Sequence, residues 1–136
     1  MPWSHTLAAA GLAAAAALGL AAPPAAADPG GSPGGRLVLT LHSGEDVSGR
    51  VLDSVVLECG PDGGPHPDPA AACDALRAAG GDPAALRAQR GVMCPMVYAP
   101  VTGEATGTWD GRAVGFARRY ANRCAAGAES GGVFRF

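Results

Sequence analysis

From Arg36 to His42 the chain reads RLVLTLH, with Leu37, Leu39 and Leu41 at every second position. That alternation predicts a strand with one buried face. Arg50 to Cys59 (RVLDSVVLEC) repeats the period, with Val55, Leu57 and Cys59 on one side and Glu58 on the other. The pattern then breaks. Gly60 to Asp68 (GPDGGPHPD) is too rich in Pro and Gly for regular structure. Its end is a helix start, with Asp68 as N-cap and Pro69 at the first helical position. Over the following AAACDALRAA the spacing turns helical, placing Ala72, Cys73, Leu76 and Ala79 on one face, and Gly80-Gly81 ends the helix. Asp82-Pro83 repeats the start signal and predicts a shorter helix ending at Gly91. Thr102–Trp109 and Arg112–Tyr120 are strand-like runs separated by Asp110-Gly111. Asp-Gly suits a two-residue hairpin turn, in which both residues need positive φ. Val133 to Phe136 (VFRF) alternates and predicts a terminal strand. Strands, then helices, then strands describe an α+β domain: an antiparallel sheet of about five strands with two short helices.

Length and charge narrow the picture. A chain of 136 residues suffices for one domain. The net charge is −2, all ten basic residues are Arg, and no basic stripe occurs, which argues against nucleic acid or an anionic membrane surface as partner. The first 27 residues stand apart: Leu7 to Ala22 is almost wholly Ala, Leu and Gly, and no charged side chain precedes Asp28. The run is short for a membrane span. Pro23-Pro24 ends it, and the small residues up to Ala27 fit a signal-peptidase site, although the n-region holds His5 and no Lys or Arg. The expected organisation is a secretory signal peptide over 1–27, a Pro/Gly/Ser lead over 28–35, and a folded domain over 36–136, secreted and free of the membrane once cleaved.

All four cysteines, Cys59, Cys73, Cys94 and Cys124, follow the leader. An even count in an exported chain predicts two disulfides, and spacing alone leaves all three pairings open. No Cys-x-x-Cys occurs, and His42 and His66 are not spaced to complete a metal site, so neither metal nor cofactor is expected.

Val92 to Pro100 (VMCPMVYAP) is the ambiguous stretch. An apolar run of this length is ordinarily interior. Here Pro95 lacks the N–H of a ladder strand, Pro100 restricts the far end, and Cys94 offers a cross-link beside Met96. These features suit a loop held in one extended shape, which loses little entropy on binding. Serine proteases bind extended strands of this kind with side chains in pockets.

The segment CPMVY, preceded by Val-Met and followed at one remove by Pro, resembles the reactive-site segment of the Streptomyces subtilisin inhibitor family. The resemblance extends to CGPDGGPHPDPAAACDALRAAGGD around the first cysteine pair, to TWDGRAVGFARRYANRC before the last cysteine, and to the final GGVFRF. It implies disulfides Cys59–Cys73 and Cys94–Cys124, and a reactive bond between Met96 and Val97. Met96 would fill the primary specificity pocket of a subtilisin-like or chymotrypsin-like protease. Met93, Cys94 and Pro95 would contact the enzyme before the bond and Tyr98 after it. Asn122 would brace the loop by hydrogen bonds, and two copies would pair through sheet faces as a homodimer. The chain departs from the family pattern at Ala99, often acidic, and at Arg123.

Other readings compete. Catalysis is poorly served: the cysteines are expected to be oxidised and no Ser sits in a nucleophile motif. A secreted, disulfide-stapled recognition module that blocks no protease is the alternative. Trp109 and Tyr120 are expected to pack on the sheet, His66 to bond locally, one of Arg118 and Arg119 to face solvent, and Phe134 and Phe136 to lie in the core or a subunit contact.

Overall fold

In this computed structural model, which describes residues 19–21 and 34–136, four antiparallel strands form one sheet in the order β2-β1-β3-β4. β1 is Gly35–Ser43, β2 Val51–Cys59, β3 Val101–Trp109 and β4 Arg112–Tyr120. The leader expected over 1–27 lies, apart from 19–21, outside the described residues, as does most of the lead after it.

Alternation in β1 decides which face is covered. Leu37, Leu39 and Leu41 are buried, and across the ladder they oppose Leu57, Val55 and Asp53 of β2 and Gly107, Ala105 and Gly103 of β3. Register slips by one residue between Leu41 and His42 against β2. The β3–β4 hairpin turns at Asp110 and Gly111, with φ of 45° and 77°, the two left-handed residues that a tight primed turn demands. Asp110 also secures the entry to β1: its N–H donates to the Gly34 carbonyl (2.8 Å), and its Oδ1 accepts from the Gly34 N–H (3.0 Å).

Helix α1 (Pro69–Ala78) lies on the covered face and buries Ala72, Cys73 and Leu76. Asp68 caps it by accepting from the Ala71 N–H at 3.2 Å. The Cys59–Cys73 disulfide ties α1 to the end of β2. Gly81, at φ 78°, is pressed so closely on Trp109 that a Cβ there would lie 2.1 Å from the indole. Trp109 and Tyr120 are both buried.

Two expected elements do not form, and one unforeseen element does. The helix predicted after Pro83 is only a single 3-10 turn, Pro83–Ala85, because Leu86 is already extended (φ −61°, ψ 140°) and the Gln89 N–H donates to Ala128 (2.8 Å) rather than within its own segment. The strand predicted over Val133–Phe136 is absent, which leaves four strands rather than five. Gly131 and Gly132, both at positive φ, bend the chain, and Arg135 N–H turns back to Gly132. Consecutive Val133 and Phe134 are both fully buried, which strand alternation would forbid. The Phe134 ring sits over Gly103 and near Tyr120 and Phe116, with centroids 6.0 and 6.3 Å away. The second helix, α2, is Arg123–Glu129.

His66 holds this tail in place. Its Nδ1 accepts from the Asp68 N–H (3.0 Å), so the proton sits on Nε2, which donates to the Val133 carbonyl (2.9 Å). The expected local bond is accompanied by a long-range one, to a residue 67 positions further along the chain.

Candidate functional site

Residues 92–100 adopt neither helix nor strand and run across one end of the sheet. Met96 is 104% exposed and Met93 93%, which means that no protein surface covers either side chain. Val97 and Tyr98 are also exposed. Apolar side chains left so open, side by side, mark a surface made for contact.

The backbone beneath them is held firmly. Cys94 is joined to Cys124, which fastens the entry of the loop to the first turn of α2. Asn122 stands between β4 and α2 and is buried. Its backbone is extended, and its Oδ1 accepts from the Ala125 N–H at 2.8 Å, so it is the N-cap of α2. Capping leaves the Nδ2 free to point at the loop. It donates to the carbonyl of Pro95 at 3.0 Å and to that of Val97 at 2.8 Å. One amide group therefore bridges both sides of Met96. Beyond it, the Ala99 N–H donates to Ala121 (2.9 Å) and the Gly44 N–H donates to Pro100 (2.9 Å).

The structure thus gathers the singled-out residues Met93, Cys94, Pro95, Met96, Val97, Tyr98 and Asn122 at one end of the molecule. The polar turn between β1 and β2, to which the sequence assigns no part in the site, joins them there. The Tyr98 hydroxyl donates to Glu45 Oε1, and Arg119 of β4 pairs with the same oxygen at 3.5 Å. The hydrogen bond to Glu45 raises the Tyr98 pKa above its ordinary value, because the hydroxyl proton is held by a carboxylate. Glu45 and Tyr98 are 53 residues apart, and no short-range motif links them.

Arg123 finds its use here as well. Its Nε and Nη2 donate to the Phe136 backbone oxygen (3.0 and 2.7 Å), and Nη2 reaches Asp53 at 3.1 Å. Beside the loop, it draws β2 and the tail together under α2. Arg118 stacks over the Tyr120 ring at 5.2 Å.

One cluster of possible metal-ligand types occurs among the described residues. Cys59, Asp62 and Cys73 bring ligand atoms within 4.8 Å of one another, but both sulfurs are consumed in the disulfide. Asp62 is engaged by Arg77, whose hydrogen bond holds its carboxyl below the usual range. No helix among the described residues is long and apolar enough to cross a membrane.

The loop thus carries an open apolar side chain, is braced from below and is stapled at one end. The molecule is of the class of small disulfide-bonded domains with a braced, exposed loop. Comparison narrows the class. The subtilisin inhibitor-like family model matches residues 33–122. A subtilase-type protease inhibitor of Streptomyces coelicolor is 43% identical over 141 residues, spanning 98% of this chain and 96% of that protein. Subtilisin inhibitor-like protein 3 of the same organism is 46% identical over 102 residues, covering 74% of this chain and 95% of its own. Among solved structures, Streptomyces caespitosus sermetstatin, crystallised in complex with Bacillus licheniformis subtilisin, superposes with a TM-score of 0.59 at 33% identity, covering 76% of this chain and 99% of that one. The chain belongs to the subtilisin inhibitor-like family.

Proposed function

We propose that this protein is a secreted inhibitor of subtilisin-like serine proteases that docks as a substrate does, with Met96–Val97 as the reactive bond. The observation that carries this reading is the Asn122 amide, which fixes the carbonyls of Pro95 and Val97 beneath a side chain, Met96, that touches nothing in its own protein.

The chemistry follows from that arrangement. Docked in extended form, the loop offers the Met96 carbonyl to the catalytic serine and the oxyanion hole. Cleavage would leave an acyl-enzyme on Met96 and a free amine on Val97. In an ordinary substrate the amine diffuses away and water completes hydrolysis. Here the Cys94–Cys124 disulfide holds one side of the cut and the Asn122 bond to Val97 the other. The amine stays beside the acyl carbon, re-forms the peptide bond, and keeps the enzyme occupied. Preorganisation also reduces the entropy lost on docking.

Met96 sets selectivity. A long, uncharged thioether suits the broad apolar pocket of subtilisin-like and chymotrypsin-like enzymes and lacks the cation that trypsin-like pockets require. Secretion agrees with the two disulfides and the apolar leader. Homodimerisation is supported by the uncovered face of the sheet. Val38, Thr40, Val56, Thr106 and Ala117, which the register places on the sheet face opposite the buried leucines, lie outside the core cluster and offer a broad surface for a second copy.

The test is a titration of the mature protein against a fixed quantity of active-site-titrated subtilisin. Activity should fall linearly to zero near one reactive site per enzyme, and Met96→Gly should abolish the effect while the fold persists. Undiminished activity, with the chain cut and released, would leave a recognition module in place of an inhibitor.

A further inference from the structure

The two sides of the Met96–Val97 bond are held in different ways. The Met96 side is tied covalently, two residues away, through Cys94–Cys124. On the Val97 side the same disulfide enters only at Cys124, 27 residues further along the chain, so no cross-link lies near the new amine. From Val97 to Pro100 the chain is held by the Asn122 amide on Val97, by the Tyr98 hydroxyl on Glu45, by Ala99 N–H on Ala121, and by Gly44 N–H on Pro100. Two of these four contacts come from one place, the turn that joins β1 to β2. That turn is itself fastened to the loop exit, since the Thr102 hydroxyl donates to the Gly44 carbonyl at 3.0 Å. Arg119 of β4 pairs with the same Glu45 oxygen at 3.5 Å, so the carboxylate that receives Tyr98 is also held by a cation.

We infer that Glu45, steadied by Arg119, is a positioning residue for the reactive bond: by holding Tyr98 it keeps the Val97 amine beside the acyl carbon and favours re-formation of the bond over release. The inference rests on the reading of Met96–Val97 as the reactive bond. A residue next to the new amine is the one whose wandering matters most, and Tyr98 is that residue. Its ring remains exposed for contact with a protease while its hydroxyl is anchored. In the free protein the three side chains are more than half exposed, so the network adds little to folding. Covered by an enzyme, the same charge-assisted bond is shielded from water and grows in strength.

The measurement that isolates this role is the ratio of intact to cut inhibitor at equilibrium with a catalytic amount of subtilisin, together with the dissociation rate of the complex. Glu45→Ala and Tyr98→Phe should each shift the ratio toward the cut form by about fivefold and speed dissociation similarly. The double variant should go no further than either single, and Glu45→Gln, which retains an acceptor for Tyr98, should restore part of the loss. Thermal midpoints should stay where they are, which a merely structural role would not allow. A wild-type ratio in Glu45→Ala, or fully additive losses in the double variant, would overturn the inference while leaving the inhibitor reading intact. A wild-type protein that neither inhibits subtilisin nor is cut at Met96–Val97 would remove the inhibitor reading and this inference together.

Discussion

Asn122 Nδ2 lies 2.8 Å from the carbonyl oxygen of Val97, while the Oδ1 of the same side chain caps helix α2 through the Ala125 N–H, also at 2.8 Å. A single buried amide therefore couples the start of a helix to the segment that bears the proposed reactive bond. The two duties use different atoms and can be separated.

Asn122→Ala removes both duties. It should cost about 1–2 kcal/mol of stability through the lost cap and also weaken inhibition. Asn122→Ser keeps a capping oxygen but is too short to reach the loop, so stability should largely return while cleavage at Met96–Val97 remains accelerated. Denaturant unfolding and the rate of loop cleavage, measured on both variants, separate the two effects.

Gly81 and Gly80 form a matched pair of positive-φ residues, at 78° and 65°. A Cβ on Gly81 would strike the Trp109 indole at 2.1–2.4 Å, whereas one on Gly80 meets nothing within 4 Å. Gly80→Ala should cost only about 1 kcal/mol, the strain of a left-handed residue. Gly81→Ala should cost clearly more, about 3 kcal/mol, because the indole must also move. Equal losses in chemical unfolding would contradict the tight packing of Gly81 on Trp109.

Burial, partly offset by the nearby Arg118 charge, pushes the Tyr120 hydroxyl from 10.0 up to about 12. The folded state thus holds its proton more tightly than the unfolded state. This contribution is fully present below pH 10 and is lost as pH rises from 10 toward 12. The loss should amount to about 2 kcal/mol across that window. Tyr120→Phe keeps the ring against Phe134 and removes the ionisable group, so its stability should fall less over the same range, as read by unfolding at stepped pH.

Met93 and Met96 are the methionines among the described residues, and neither side chain is covered. Peroxide should therefore add one oxygen to each sulfur without disturbing the core. Inhibition should fall as Met96 becomes a polar sulfoxide unsuited to an apolar pocket, while the thermal midpoint holds. Met96→Leu should keep its potency through the same treatment, and Met93→Leu should not protect. Mass spectrometry of the loop peptide beside residual subtilisin activity reads both quantities.

Local pattern carried much of the fold. The alternation in β1 and β2, the Asp68-Pro69 start of α1 and the Asp110-Gly111 hairpin each depend on neighbours within a few residues, and the structure has each of them. Elements set by distant partners were misread. The terminal Val-Phe-Arg-Phe has the alternation of a strand, but the bend at Gly131-Gly132 and the His66 bond to Val133 turn it inward so that adjacent residues are both buried. The segment after Pro83 has the start signal of a helix, but its backbone bonds to α2 instead. The cap that begins α2, an Asn before a run rich in Ala, was visible in the chain and went unread.

The candidate site divides in the same way. The chain by itself determined that residues 92–100 would be stiff, apolar and unfit for a central strand, since prolines, a cysteine and side-chain chemistry are properties of the segment alone. What holds that segment up is a tertiary matter: the family resemblance implied the Asn122 brace and the Cys94–Cys124 tie, and only the structure added Glu45 and Arg119 beneath Tyr98. The Asn122 bridge, the Cys94–Cys124 tie and the Glu45–Tyr98–Arg119 contact join residues 25 to 74 positions apart. Contacts at such separations leave no periodic trace in sequence, because they arise from how β1, β3 and β4 bring their ends together, and not from any preference of the residues that meet there.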